Sequence, residues 1–153
     1  MKIDFNRIKV IFAGKITEDI WNYRLQFPEI NIEFLDYIPY KSTLQLIINA
    51  DILLLLINNI PNNEGIITSK IFNYIASGNF ILCLGPENGE AAKIIRKTHT
   101  GDIVDYCNRG KIAEILKNKF DEWQKTGKIT TQQKGIVNYS KYNQTGKLIE
   151  IFG

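Results

Sequence analysis

Short apolar runs alternate with segments of helical length along most of the chain, and this alternation restricts the fold more than any other feature. The runs are IKVIFAG (8–14), INIEFLDY (30–37), DILLLLI (51–57), FILCL (80–84) and GDIVDY (101–106). Each is strand-sized, and INIEFLDY alternates Ile30, Ile32 and Phe34 against Asn31 and Glu33, the period of a half-buried strand. DILLLLI is apolar throughout, which predicts a central parallel strand covered on both faces.

The intervening segments carry helix signals. TEDIWNYRLQF has Thr17 as its N-cap, Glu18 and Asp19 in the first turn and Pro28 as its stop. In IPYKSTLQLIINA, Ser42 is placed to cap a helix whose Leu44, Ile47 and Ile48 share a face. The stretch TSKIFNYIASGNFILCLGP predicts a helix from Thr68 to Ser77, ended by Gly78 in the left-handed conformation. GPENGEAAKIIRK is a glycine-bounded turn feeding a helix. NRGKIAEILKNKFDEWQK sets Ile112, Ile115, Leu116, Phe120 and Trp123 on one face. TGKITTQQKG reads as polar and irregular, and a last helix is expected over Lys141–Phe152. The order β-α-β-α-β-α-β-α-β-α-α with short connections predicts an α/β fold: a doubly wound, Rossmann-like parallel sheet forming one domain over residues 1–153.

Composition narrows the function classes. The chain of 153 residues is 44% hydrophobic and 23% charged, ordinary for a globular domain with a core of its own. Nineteen basic against 16 acidic residues leave a net charge of +3, too slight an excess to indicate nucleic acid as a partner. Cys83 lies in an apolar run and reads as a small core hydrophobe, and nothing suggests a disulfide framework or a metal site. His99 is the single histidine, so a histidine-based triad has almost no material. There is no apolar stretch of about 18 residues for a membrane span. MKIDFNRIK lacks a signal-peptide core, and a cytoplasmic location is expected.

In a doubly wound sheet, ligands bind beyond the carboxyl ends of the strands. Those ends carry Gly14-Lys15, Tyr37–Tyr40, Asn58–Ile67 and Gly85–Gly89. The loop Asn58–Ile67 leads into the helix that holds Lys70. A helix N-terminus offers free N–H groups and partial positive charge to an anion, Gly65 allows close approach, and the Lys70 ammonium adds a full charge. A cation there opposes the helix dipole, which an anionic partner would offset; a solvated lysine at an ordinary loop–helix junction fits the same residues. Glu87 and Glu90 stand in and after the turn following the fourth strand, and Glu90 is explained equally by stability, since an acid suits the first turn. Lys15 suits the cleft or plain solvent. No G-x-G-x-x-G follows the first strand and no Walker A pattern occurs; AGKIT lacks the preceding glycine spacing. Paired acids after the first strand, which a receiver domain would need, are also missing.

The stretch from Tyr37 to Asp105 resembles the carboxyl-terminal half of GT-B glycosyltransferases of the family-4-like group (glycosyl transferases group 1). That family shows a Pro-bearing turn, a helix ending in Ala-Asp, a buried strand and a K-x-F-E-Y-x-A-x-G-x-P segment. Here stand Ala50-Asp51 and KIFNYIASGNF (70–80). VIFAGKI is similar to the family's strand-Gly-Arg/Lys start and YSKYNQTGKLIEIF to its closing helix, so the likeness spans about Ile8 to Phe152. It implies a Rossmann-like domain, one half of a GT-B fold, that binds a nucleotide-diphosphate sugar without a metal. It implies Lys15, beside Gly14, as the base that stabilises the leaving diphosphate, with Lys70 as the candidate for the second. Asn73 falls where the family's Glu holds the donor ribose, and lacks the charge of that Glu. Gly65, with Glu64 beside it, falls at the family's earlier acid, and Phe80 replaces the proline. The N–H groups of Gly65, Ile66 and Ile67 would face the diphosphate, and Glu87 and Glu90 the sugar hydroxyls.

The implied activity is the donor-binding part of a retaining transfer in polysaccharide or glycoconjugate synthesis. The acceptor domain would lie in a missing amino-terminal half or a partner chain, through which peripheral membrane association could arise, and this chain alone is expected to be inactive. Two other readings stand beside it: a noncatalytic, degenerate GT-B module acting through a partner subunit, and a nucleotide-sugar epimerase-like half, which the single His99 disfavours.

Overall fold

The computed structural model describes residues 3–140 and Asn143, with the side chains of Asp19 and Tyr23 excepted. The helix expected over Lys141–Phe152 lies outside the described residues. The chain is α/β, its described strands all pair in parallel, and it divides into two compact units, Met1–Leu46 and Ile47–Gly153.

In the first unit β1 (Lys9–Ala13) pairs in parallel with β2 (Asn31–Leu35), Lys9 opposite Asn31. The helix α1 (Glu18–Gln26) connects them, with Thr17 at the expected N-cap position but without a side-chain cap bond. Its Trp21 packs on Phe34 with ring centroids 4.5 Å apart, and Phe34 stacks on Phe12 at 5.7 Å. The helix α2 (Tyr40–Asn49) begins two residues before the hydroxyl expected to cap it. The Pro39 carbonyl accepts the first helical bond from the Thr43 N–H at 3.0 Å, so Ser42 lies inside the first turn rather than capping it. Ile47 is buried, whereas Ile48 is 62% exposed instead of sharing its face; one more residue turns the side chain by about 100°.

The second unit holds β3 (Ile52–Leu56), β4 (Phe80–Leu84) and β5 (Gly101–Val104) in the order β3-β4-β5, with Ile52 opposite Phe80 and Ile81 opposite Gly101. The helices α3 (Lys70–Ser77), α4 (Glu90–Thr98) and α5 (Arg109–Thr126) follow these strands in turn. Paired residues of parallel strands share a face. Leu55, Ile81 and Cys83 pack with Ile71 and Ile75 of α3 and Ile94 and Ile95 of α4. Phe80, Leu82 and Val104 pack with Ile115 of α5 on the opposite face. Helices therefore cover both faces of β4, whose apolar run is buried along nearly its whole length. The expectation for DILLLLI is corrected: β3 is an edge strand of this sheet, and its Leu54 and Leu56 are 43% and 54% exposed. An unbroken apolar run marks a strand, but two such runs compete for the centre, and FILCL holds it.

The ends of α3 and α4 both use left-handed backbone. Gly78 ends α3 at φ 85°, as its sequence position predicts, while α4 ends on His99 at φ 52°, a non-glycine residue in that region. His99 precedes β5 and so stands at the amino end of the strands, away from the carboxyl edge of its sheet.

The segment after α5 is irregular, as expected, yet firmly tied. Thr131 Oγ1 donates to the Gly78 carbonyl at 2.8 Å and the Lys134 N–H to the Thr98 carbonyl at 2.9 Å. Glu122 accepts from both the N–H and the hydroxyl of Thr130 at 2.8 Å and pairs with Lys119 at 2.9 Å. The Thr130 amide, then the Lys119 bond, hold the Glu122 carboxyl down at about 2. A depressed folded pKa gives stability that is present above the unfolded value and lost as pH falls through the folded one. This contribution is complete above about pH 5 and disappears towards pH 2; solvent screening of the partly exposed pair leaves about 1 kcal/mol. Glu122→Gln keeps an acceptor for Thr130 but cannot ionise. Its denaturant midpoint is expected to fall less steeply than the parent's between pH 5 and pH 2, and equal slopes in the two proteins would remove Glu122 from the acid response.

Candidate functional site

The carboxyl edge of β3-β4-β5 is built from three connections: the loop from Ile57 to Ser69, the turn from Gly85 to Gly89, and Asp105–Asn108. The first loop is the longest, and it is organised rather than slack. Asn62 takes φ 59°, a short 3-10 turn spans Asn63–Gly65, and the Ile66 N–H donates to the Asn63 carbonyl at 3.1 Å. Asn63, only 8% exposed, donates through Nδ2 to the Asn58 carbonyl at 2.9 Å and to the Tyr106 hydroxyl at 3.0 Å.

This organisation corrects the placement of the amide cradle. The helix opens at Lys70, not Thr68, and the Ile66 amide is already engaged within the loop. The Thr68 carbonyl accepts the Ile71 N–H at 3.2 Å, closing a turn ahead of the helix. The amides that open α3 therefore come later than Gly65–Ile67. Ser69 occupies the N-cap position in helical conformation and makes no side-chain cap bond. The Thr68 hydroxyl oxygen is buried with no hydrogen-bond partner among the described residues. Lys70 is exposed as the first helical residue, Ile67 is 44% exposed, and nothing lies within 4 Å of where a Cβ on Gly65 would stand. Asn73 is half-buried one turn into the helix.

The turn after β4 gives its two acids local work. The Glu87 carbonyl accepts from the Arg96 guanidinium, its carboxylate accepts from the Asp105 N–H at 3.4 Å, and Glu90 pairs with Lys93. Both side chains remain exposed. Gly85 is required by packing, since a Cβ there would stand 2.9 Å from Cβ and Cγ1 of Ile57.

In the first unit, Gly14 stands at φ 123°, open to glycine and strained for other residues. Its N–H continues the ladder to the Leu35 carbonyl at 2.9 Å, and Lys15 follows it, exposed, beyond the carboxyl end of β1. Two shallow cavities of about 370 and 390 Å³ lie beside β2, one lined by Trp21 and Arg24 of α1 and the other by Arg24 and Leu25. Neither contains a residue that the sequence singles out for ligand binding.

No protein-family model, curated protein or solved structure matches the chain. The chemistry of the carboxyl edge is therefore argued from its own groups. Burial pushes the Cys83 thiol up to about 11, which keeps it a neutral core side chain rather than a nucleophile. Burial, with Cys83 and Asp105 nearby and against the Asn63 bond, also raises the Tyr106 phenol, so it stays a protonated donor. Among the described residues no group of three or more His, Cys, Asp or Glu could hold a metal ion, and no helix is long and apolar enough to cross a membrane. The pairing of Tyr106 with Asn63 escapes sequence reasoning: they meet across 43 positions, and nothing in the run GDIVDY or the loop 58–67 links one to the other.

Proposed function

We propose that the chain is the donor-binding domain of a retaining glycosyltransferase, one half of a GT-B arrangement built on a doubly wound parallel sheet. It takes a nucleotide-diphosphate sugar, needs no metal and no protein nucleophile, and relies on an acceptor domain in another segment or partner chain. The observation that carries the reading is the opening of α3: an N-terminus beyond the carboxyl end of β3, without a side-chain cap, with exposed Lys70 as its first residue and open space above Gly65. Helix amides and an ammonium together suit a diphosphate, and they stabilise the charge that develops on it as the sugar departs. Asn73, in the same helix, is assigned to the ribose by the resemblance. Transfer would take place in the cytoplasm, with membrane contact supplied by the acceptor half.

Titration calorimetry with UDP and GDP tests this. One of them is expected to bind with micromolar affinity, and Lys70→Ala to weaken it about tenfold or more, the loss of one charge-assisted contact. Absence of binding by either nucleotide would end the donor-domain reading. A second reading, a noncatalytic module that works through a partner subunit, is favoured by Asn73 standing where the family has a charged ribose ligand; it expects that absence.

A further inference from the structure

The loop that delivers the chain to α3 is held from the far side of its sheet. Tyr106, two residues beyond β5, reaches past β4 and donates its hydroxyl to the Ile57 carbonyl at 2.7 Å, where β3 gives way to the loop. The same oxygen accepts from Asn63 Nδ2 at 3.0 Å. Asn63 grips the Asn58 carbonyl with that same nitrogen, while its own carbonyl takes the Ile66 N–H. One phenol thus fixes the start of the loop and, through Asn63, the turn that sets the direction of Glu64–Ile67. Gly85 lies beside this link: a Cβ there would collide with Ile57, while 3.7 Å from the Tyr106 hydroxyl it would be in ordinary contact.

We infer that Tyr106 is a positioning residue, a latch that keeps the Asn58–Ser69 loop ordered so that the amides opening α3 face a nucleoside diphosphate in a ready-made arrangement. This rests on the donor-domain reading for its ligand, but the latch itself does not. The argument is one of hydrogen-bond accounting. Ile66 packs against the core, but Ile60 and Ile67 are both exposed, so the rest of the loop gains little order from apolar contacts. Beyond Ile66 its order rests on polar ties, and losing the hydroxyl breaks both of its side-chain links to Tyr106, at Ile57 and at Asn63. A loop released in this way must be ordered again by the ligand, which adds an unfavourable entropy to binding.

The test uses the full chain with Tyr106→Phe, which keeps the ring, and Asn63→Ala, which cuts the same link from the other end. Amide hydrogen exchange is expected to quicken about tenfold or more across the loop while β4 and α4 keep their protection. Calorimetry with UDP and GDP is expected to show about fivefold weaker binding with a more unfavourable entropy, and the double variant to be little worse than either single one. A merely structural role would move global stability and leave the binding entropy unchanged. Unchanged loop exchange in both variants overturns the latch, whatever the nucleotides do. A loosened loop with unchanged affinity overturns its role towards the ligand. If the parent binds neither nucleotide while the loop still loosens, the donor-domain reading falls and the latch stands.

Discussion

Gly101→Ala is expected to cost the second unit about 4 kcal/mol, enough to leave a marginal domain largely unfolded. Gly101 sits opposite Ile81 in the β4–β5 ladder, and an ideal Cβ on it would stand 1.8 Å from the Ile81 carbonyl oxygen and 2.6 Å from its carbon. These are backbone atoms of the central strand, so no rotamer change relieves the clash. β5 has to move away, which breaks ladder bonds worth about 1 kcal/mol each and adds overpacking strain of about 1–3 kcal/mol. The movement also disturbs the turn before it, where Thr98 and Thr100, both fully buried, share a hydroxyl–hydroxyl bond of 2.8 Å. The measurement is a denaturant titration followed by Trp123 emission in a Trp21→Phe background, which isolates the second unit. Gly110→Ala is the control. It lies in α5 with open space around it, so alanine is expected to stabilise by about 0.5–1 kcal/mol. A cost below about 1 kcal/mol for Gly101→Ala would mean that the two strands stand farther apart at this register than described.

Gly101 also shows what a sequence leaves unsaid. The alternation that marks five strands and the helices between them follows from periodicity, which is a local property, and the five described strands and five α-helices lie in the segments it marks, whereas the three 3-10 turns were not expected. Gly78 was legible because a helix that stops on glycine follows a rule of chain geometry. The start of α2 differs because a hydroxyl suggests a cap whether or not it supplies one, and Ser42 lies inside its helix; α3 begins two residues after Thr68, whose carbonyl closes a separate turn with Ile71. Which apolar run is central depends on how strands pair, so DILLLLI and FILCL could not be ranked by composition. The need for glycine at 85 and 101 arises only when another strand arrives beside it. For the candidate site, the exposed Lys70 and the glycine-bounded loops were visible in the chain. The engagement of the Ile66 amide and the Tyr106–Asn63 link were not, because both depend on the folded path of the loop.

Lys70 and Ile71 are neighbours with opposite physical roles, and that contrast makes the functional test interpretable. Ile71 is fully buried in the cluster with Leu55, Ile75 and Ile95, and Ile71→Ala is expected to cost about 2–5 kcal/mol through lost transfer energy and a residual cavity. Lys70 is exposed at the helix start, where its charge opposes the dipole, so Lys70→Ala is expected to change stability by no more than about 0.5 kcal/mol, in the favourable direction if any. Denaturant titration of the two variants checks both values. With that contrast in hand, a fall in nucleotide affinity for Lys70→Ala cannot be assigned to unfolding of α3, because the variant that does loosen α3 lies one residue away and carries its own stability signature. A large destabilisation by Lys70→Ala would show instead that the ammonium is held by the protein itself, and the anion-facing role given to it would have to be withdrawn.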